Sequence, residues 1–376
     1  MENSFVVDQK SIISILSFMQ PICTKRTTVD ATNSILFNVG HKELILKSTD
    51  LEISLQASCD VIESSLTDPQ VFLVSGKRIF ELLKELDGQI TFTLAENQIN
   101  FKAGNNVNLS LNLKNPEDFP PFPERIENMM SLDASFMSNS LGKVAFVIPQ
   151  NNANPSLNGL FVEIDDKELK MTATDGHCLA QVKTKKYTLG EEKKWLLPRR
   201  AIFELRKLLE VVPEGSEVFV GTCGNQLVFS GGIFNFFTKL LADSFPKYQT
   251  IMDKKNFMPA SVDRQSFIKT LRRSTCLLSG QFIATRFEFE KDSVSVSLQN
   301  NEVGTLKEEL AISGFEKEGV DIRFYAPYLL SGLQVLPAEK VNFFLHNPAK
   351  PIIFEAEQAD ASMTYLVMPV SPTSGS

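Results

Sequence analysis

The stretch TATDGHCLA at positions 172–180 and the stretch TDLEISLQA at positions 49–57 both contain a Thr-Asp pair, and Thr174 lies 125 residues after Thr49. In each stretch an alternating apolar segment precedes the pair and a further segment follows it. Aspartate readily accepts hydrogen bonds from its own backbone in turns. Each stretch therefore predicts two strands joined at a Thr-Asp corner.

Two other pairs of segments recur at nearly the same spacing. IFELLK at 79–84 returns as IFELRK at 202–207, and FPPF at 119–122 returns as FPKY at 245–248. Three matches in the same order at nearly one offset indicate a duplicated domain. Because the 376-residue chain is about three times that offset, we expect three similar domains.

Composition indicates an intracellular globular protein. The 43% hydrophobic and 22% charged residues are ordinary for globular chains. A net charge of −7 argues against a generally basic surface but leaves room for a local basic strip. The five cysteines are scattered and odd in number, which is typical of a reduced protein. We see no signal peptide and no apolar run of membrane-spanning length.

Helical spacing of apolar residues predicts six helices, each accompanied by several strands. We expect Pro21 to end the first of them. The predicted helices cover 11–19, 77–86, 135–146, 199–211, 264–277 and 325–336. The fold class is therefore α+β, with two helix-plus-strands units in each domain. Candidate boundaries at 124–130 and 253–259 give domains at 1–128, 129–253 and 254–376.

The residues indicate neither a catalytic nor a metal site. Asp175 and His177 lie close together, but no nucleophile motif is near them, and we interpret them as a polar corner beside a binding groove. The SGK at 75–77 lacks the earlier glycine of a phosphate loop and indicates a helix start. The cysteines and histidines lack metal-ligand spacing. We expect no enzymatic activity and no cofactor.

Four motifs, in their order and spacing, resemble the bacterial DNA polymerase III beta subunit family, the sliding clamps. They are LNG at 157–159, ATDGH at 173–177, FPKY at 245–248 and YLVMP at 365–369. The resemblance covers almost the full length. It implies three DNA-clamp domains with inner helices and outer sheets, in a ring-shaped head-to-tail homodimer around duplex DNA. The resemblance further implies that the protein is a non-catalytic processivity factor, located in the bacterial cytoplasm and associated with the nucleoid.

The chain departs from the family pattern at several places. KRTTVD at 25–30 replaces an Arg-Pro-Thr-Leu-Pro run, and Pro155-Ser156 stand where aromatic residues often precede the LNG motif. Cys178, Thr250 and Ser371 stand where basic residues are frequent. We therefore expect a divergent member in which the rim of the partner groove is altered.

Basic residues cluster on the predicted helices. By themselves such charges are typical of solvated helix faces, but the resemblance implies that these helices face DNA. The contacts would then be to phosphates, which are independent of base sequence. The implied DNA-facing residues are Arg26, Lys77, Arg78, Lys84, Lys143, Arg199, Arg200, Arg206, Lys207, Lys269, Arg272 and Arg273.

The resemblance also implies a cleft for short peptides of the replicative DNA polymerase alpha subunit, the clamp loader, repair polymerases and ligase. From residue type alone, its apolar members are equally consistent with a core. The implied cleft residues are Leu157, Thr174, Gly176, His177, Cys178, Leu179, Pro246, Thr250, Ile251, Tyr328, Leu366, Val367, Met368, Pro369 and Val370. The implied dimer contacts are Leu109, Leu277 and Leu278.

Two other functions remain open from the residues. An enzyme with a site between repeated domains requires a nucleophile and a base, which we do not find. The other is an intracellular repeat-domain scaffold that binds peptides without encircling DNA. Retention on circular DNA distinguishes the scaffold from the clamp.

Overall fold

The protein is described from a computed structural model that covers residues 3–104, 106–123, 125–280, 282–317 and 319–370. The chain forms two compact units, one of residues 1–138 with 203–240 and one of residues 139–202 with 241–376. Within the described ranges, no helix has both the length and the apolar character needed to cross a membrane.

Six α-helices accompany the strands in the described parts of the chain. They are α1 (Gln9–Cys23), α2 (Gly76–Lys84), α3 (Ala134–Val144), α4 (Arg199–Glu210), α5 (Arg264–Cys276) and α6 (Ala326–Val335). The predicted six helices and the α+β class are confirmed. The prediction that Pro21 ends the first helix is wrong, because α1 continues to Cys23. Thr24 supports this last turn by donating both its N–H and its hydroxyl to the carbonyl of Gln20.

The described residues of the first unit form thirteen strands in two antiparallel sheets. The strands are β1 (Ser4–Asp8), β2 (Ser34–Val39), β3 (Glu43–Thr49), β4 (Ile53–Asp60), β5 (Glu63–Ser64), β6 (Gln70–Ser75), β7 (Gln89–Leu94), β8 (Gln98–Ala103), β9 (Val107–Asn112), β10 (Glu127–Asp133), β15 (Glu217–Cys223), β16 (Gln226–Gly231) and β17 (Phe234–Lys239). One sheet has the order β5-β1-β7-β8-β9, and the other β10-β15-β16-β17-β4-β3-β2-β6. Alternating buried residues such as Phe5 and Phe92, whose rings stack 5.0 Å apart, form the core.

In the part of the second unit that the structure describes, twelve strands form one sheet. They are β11 (Gly159–Ile164), β12 (Leu169–Thr174), β13 (Cys178–Thr184), β14 (Lys193–Pro198), β18 (Met258–Asp263), β19 (Thr285–Phe289), β20 (Ser293–Asn300), β21 (Gly304–Ser313), β22 (Val320–Phe324), β23 (Lys340–Leu345), β24 (Ile352–Glu357) and β25 (Ser362–Val367). Their order is β14-β11-β12-β13-β25-β24-β23-β18-β21-β20-β19-β22. Pairing of β13 with β25 places the Thr-Asp corner beside the C-terminal strand.

Five strands, β5, β10, β14, β18 and β22, were absent from the sequence prediction. Strands β10 and β18 begin inside the candidate boundary segments, at Glu127 and Met258. The sheets extend across the predicted domain limits, because β4 pairs with β17 and β13 pairs with β25. The limits at 128/129 and 253/254 stay predictions. Glu124, in the first boundary segment, and Ser371, in the tail, lie outside the described residues.

Candidate functional site

The corner between β12 and β13 is held by side chains that bond to its own backbone. Thr174 Oγ1 donates to the carbonyl of Cys178 at 2.6 Å and accepts from the N–H of Gly176 at 3.1 Å. The Asp175 carboxylate accepts from the N–H groups of His177 at 2.8 Å and Cys178 at 2.6 Å. Gly176 has φ +91°, which favours glycine. The predicted Thr-Asp corner is therefore present.

The exposed His177 lies at one end of a row of aromatic rings. Its imidazole stacks on Tyr328 with centroids 5.7 Å apart, Tyr328 contacts Tyr325 at 5.1 Å, and Tyr325 stacks on Phe282 at 4.6 Å. Phe282 is 62% exposed. Sequence analysis missed Tyr325 and Phe282. An aromatic residue three positions before Tyr328 was the available signal for Tyr325, because such spacing places two residues on neighbouring helical positions.

The C-terminal strand continues alongside this corner. The N–H of Met368 donates to the carbonyl of His177 at 2.8 Å, and the N–H of Val370 donates to the carbonyl of Arg323 at 2.8 Å. Tyr365 donates its hydroxyl to the carbonyl of Tyr328 at 2.7 Å. Half-buried Met368, Pro369 and Val370 thus lie between the corner and β22.

A segment that we call the linker, Leu241–Phe257, packs against the sheet that carries this corner. Its Tyr248 belongs to a buried cluster with Leu179, Ile353 and Leu366. Half-buried apolar residues surround this cluster: Phe161, Phe245, Met252, Phe257, Phe344 and Met368. Most of these were not predicted as site residues. The linker also carries the exposed residues Pro246, Thr250 and Ile251.

Several residues of the predicted cleft are buried in the structure. Leu179 and Leu366 are each 1% exposed, and Val367 is fully buried. Leu179 and Leu366 are paired across strands and lie in the cluster that includes Tyr248. Val367 points to the opposite face of its strand, because side chains alternate. Leu157 and Cys178 are also buried. The accessible part of the predicted cleft consists of Gly176, His177, Tyr328, Met368–Val370 and the exposed linker residues.

Polar side chains from three strands meet at the Tyr248 hydroxyl. Tyr248 donates to the Glu163 carboxylate and accepts from Gln181 Nε2 at 3.1 Å. Gln181 Nε2 also donates to Thr172 Oγ1 at 2.8 Å. Burial raises the pKa of Tyr248 above its usual value, and the hydrogen bond to Glu163 raises it further. The phenol therefore keeps its proton near neutral pH and remains a donor.

Neither Cys178 nor Asp175 is arranged as a catalytic group. Burial raises the pKa of the Cys178 thiol well above its ordinary value, and the nearby Asp175 charge adds to this shift. A thiol kept neutral is a poor nucleophile. Asp175 uses its carboxylate on backbone N–H groups, while the His177 ring stacks on Tyr328. The interpretation of Asp175 and His177 as a polar corner agrees with this geometry.

The predicted DNA-facing residues differ in how far they are free to contact a ligand. Lys84, Lys269 and Arg272 are exposed, and no ion pair is found for them within the described ranges. Others have local partners. Lys77 and Arg78 both pair with Glu81, Arg206 pairs with Glu210, Lys207 with Glu204, Arg273 with Glu308, and Lys143 bonds to Gln358. Arg199 donates its Nε to the carbonyl of Ile148 at 3.0 Å. Arg26 is exposed and Arg200 is half-buried.

Two of these residues, Arg26 and Lys77, line a cleft of about 790 Å³ between the end of α1 and the start of α2. Lys25 and Lys114 line the same cleft and were not predicted. Lys25 lies 3.7 Å from Asp50 and also pairs with Glu52. The KRTTVD run thus contributes two of the four basic side chains that line this cleft.

The predicted dimer residues lie near two strands that have an open edge. Half-buried Leu109 lies on β9, which is the edge strand of its sheet. Half-buried Leu277 and buried Leu278 follow α5. Strand β21 pairs with β20 along its length but with β18 only at Ile312 and Ser313. Among the described residues, no strand pairs with the other side of β21 from Gly304 to Leu310.

Comparison with known proteins identifies three consecutive matches. Residues 3–123, 131–247 and 249–371 match the N-terminal, central and C-terminal domain families of the DNA polymerase III beta subunit. The beta sliding clamp of Staphylococcus aureus is 24% identical over 376 residues and is aligned over 97% of this chain and 98% of its own length.

Solved structures have the same fold. The Pseudomonas aeruginosa DNA polymerase sliding clamp has a TM-score of 0.89 at 22% identity, covering 98% of this chain and 100% of that chain. The Bacillus subtilis sliding clamp has a TM-score of 0.90 at 19% identity, covering 99% and 100%. The fold therefore consists of three clamp domains, as the internal repeat predicted.

Proposed function

The chain belongs to the DNA polymerase III beta subunit family, and we propose that it is a sliding clamp that encircles duplex DNA and tethers the replicative polymerase and repair partners. The observation that carries the proposal is the ordered match of all three domain families along one chain. The role is non-catalytic, because topology holds the DNA and a peptide cleft holds the partners. We place it in the bacterial cytoplasm, at the nucleoid.

Contacts with DNA in this proposal are made by exposed basic side chains to phosphates. Such contacts are independent of base sequence and weaken as salt rises, which suits a protein that slides. Because the net charge is −7, we expect the free protein to bind linear duplex only weakly. Once loaded, it should remain on circular DNA and be lost when the circle is cut. Equal retention on linear and circular DNA would instead favour the peptide-binding scaffold.

The phosphate contacts are tested by replacing Lys84, Lys269 and Arg272 with alanine. These exposed side chains can be removed without breaking an observed ion pair. The slope of log affinity against log salt should become shallower by up to about 3, since each phosphate contact contributes about 0.9. The matched control replaces Lys167, Lys291 and Lys350, which are exposed in turns between strands. An equal change in the control would mean that net charge, not these positions, sets the slope.

The ring in this proposal forms when β9 of one chain meets β21 of a second chain. Both strands have unpaired backbone edges, and such edges are templates for pairing with another chain. A head-to-tail pair closes into a ring only if the rotation per chain is a half turn. Leu277→Asp should convert the dimer to monomer, measured by sedimentation at micromolar concentration. A wild-type chain that sediments only as monomer would contradict the ring.

The partner cleft combines the Thr-Asp corner, the end of the chain and the linker. Its rim is polar at His177, and Met368 provides a flexible apolar wall. We propose that a Gln-x-apolar-apolar peptide of the polymerase alpha subunit, the clamp loader, a repair polymerase or ligase binds here. Burying each Leu or Phe of such a peptide contributes about 1.5–3 kcal/mol. Titration with a fluorescein-labelled peptide that contains Gln-Ala-Leu-Phe tests the cleft directly.

A further inference from the structure

The linker contacts the sheet through apolar side chains and through polar side chains that include Tyr248 and Lys254, and Lys254 pairs with Glu355 on β24 at 2.7 Å. Around Tyr248, the linker packs through Phe245, whose ring stacks on Phe161 at 4.8 Å, and through the cluster with Leu179 and Leu366. At the centre of this surface, the Tyr248 hydroxyl meets Glu163 on β11 and Gln181 on β13. Tyr248 itself is 4% exposed.

These hydrogen bonds do what the apolar contacts cannot. Apolar contacts are non-directional, so stacked rings permit small displacements of the linker along the sheet. Hydrogen bonds require defined distances and angles, and a bond to a carboxylate is stronger than a neutral one. Gln181 is itself oriented by Thr172, so the acceptor and the donor that face the phenol are both fixed by strands.

The position of Tyr248 in the linker links this contact to the cleft. The carbonyl of Tyr248 accepts from the N–H of Ile251 at 3.1 Å and begins a 3-10 turn over Gln249–Ile251. Thr250 and Ile251, both exposed, are on that turn, and exposed Pro246 lies two residues before Tyr248. A shift of the Tyr248 ring would therefore move all three linker residues of the predicted cleft.

We propose that Tyr248 is a positioning residue for peptide binding, which fixes the linker wall of the cleft through its hydrogen bond to Glu163. The proposal rests on the proposed function, because it needs the cleft to bind peptides. Tyr248 does not touch the peptide in this proposal. It acts through Pro246, Thr250 and Ile251.

The test is a double-mutant cycle measured with the fluorescein-labelled Gln-Ala-Leu-Phe peptide on the full chain. Tyr248→Phe keeps the ring and its packing and removes the hydroxyl. We expect it to raise the peptide Kd about tenfold, since one charge-assisted hydrogen bond is lost. Glu163→Ala should have a similar effect, and the double variant should be no weaker than either single variant. Glu163→Gln retains an acceptor oxygen and should bind within about twofold of wild type.

A second measurement separates positioning from general destabilisation. Trypsin cleavage after Lys247 and Lys255, both exposed in the linker, should speed up in Tyr248→Phe, while the thermal midpoint falls by only a few degrees and the dimer mass stays at its wild-type value. Tyr187→Phe, which removes a hydroxyl from the segment between β13 and β14, is the matched control and should change none of these values.

Three results would overturn the inference. They are unchanged peptide affinity in Tyr248→Phe, additive losses in the double variant, or a fall in the thermal midpoint large enough to unfold the chain at the temperature of the titration. Failure of the wild-type chain to bind the peptide would be a different result. It would refute the proposed cleft itself, and this inference with it.

Discussion

The two Thr-Asp corners of the chain have the same hydrogen bonds and different surroundings. At the first corner, Thr49 Oγ1 donates to the carbonyl of Ile53 and accepts from Leu51, as Thr174 does with Cys178 and Gly176. The Asp50 carboxylate accepts from the N–H groups of Glu52 at 3.0 Å and Ile53 at 2.8 Å. The turn chemistry has thus been kept through the duplication.

The differences are at the third and fourth positions of each corner. Leu51 has φ +75°, a conformation that costs energy for any residue with a side chain, whereas the second corner has Gly176 there. Glu52 faces Lys25 at the first corner, and His177 stacks on Tyr328 at the second. The corner is thus a structural device, whose fourth residue forms an ion pair at the first copy and stacks on an aromatic ring at the second.

The largest effect should follow from removing the chain end at the second corner. Deleting residues 368–376 removes the Met368 wall and the N–H that bonds to the carbonyl of His177. We expect peptide affinity to fall at least about 100-fold, because an apolar wall and its pocket are lost together. The dimer mass should not change, since the proposed dimer contacts lie elsewhere.

Lys25→Ala is the control for this deletion, because it removes the corresponding partner from the first corner. It should leave peptide affinity at its wild-type value. Unchanged peptide affinity after the deletion would mean that the cleft lies in another part of the molecule.

The spacing of apolar residues was enough to predict the six helices and the α+β class, and the two Thr-Asp pairs were enough to predict both corners. Helices were readily predicted because their apolar faces recur at regular spacing, as in α5, where Phe267, Ile268 and Leu271 are buried. Strands β10 and β18 were missed because they begin at segments that resemble domain boundaries. Strand β22 did have a sequence signal, because apolar and polar residues alternate over Val320–Phe324. It was missed because the segment is short and lies in a polar context.

The candidate site was only partly predictable, because burial depends on contacts between distant segments. From residue type alone, Leu179 and Leu366 fit the lining of a groove and a core equally well. Their burial is evident only from the packing of Tyr248 over their sheet. The predicted phosphate contacts were limited by distant contacts in the same way. Arg273 binds Glu308 on β21, which lies 35 residues away in the sequence, so the pattern of basic residues did not indicate this partner.

The effect of intermediate size is the loss of folding stability when the aspartate of either corner, Asp50 or Asp175, is replaced. Asp50→Ala leaves two backbone N–H groups without their acceptor at a site where Asp50 is only 3% exposed. We expect a loss of about 3 kcal/mol, against about 2 kcal/mol for Asp175→Ala, where water reaches the half-buried corner. Differential scanning calorimetry of both variants measures this order. Asparagine at either position keeps an acceptor oxygen and should recover most of the loss, and a larger loss at Asp175 would reverse the comparison.

The smallest effect on stability should come from substitutions at the third residue of each corner, Leu51 and Gly176. Gly176→Ala should cost about 1–2 kcal/mol of stability, because φ +91° is unfavourable for alanine. The added Cβ would lie 4.0 Å from Leu157 Cδ1, an ordinary contact, so no clash contributes. Leu51→Gly should be neutral to within about 1 kcal/mol, since relief of the left-handed strain offsets the greater freedom of the unfolded chain.

Gly224→Ala is the matched control for Gly176→Ala, because Gly224 also has a positive φ, +59°, and open space around its Cβ position. Both variants should lose similar stability in thermal melts. Peptide affinity should fall only for Gly176→Ala, since glycine there lets the peptide approach the backbone closely. If the peptide binds both variants equally well, then Gly176 serves the turn alone, and the two corners differ in function only through His177 and the chain end beside it.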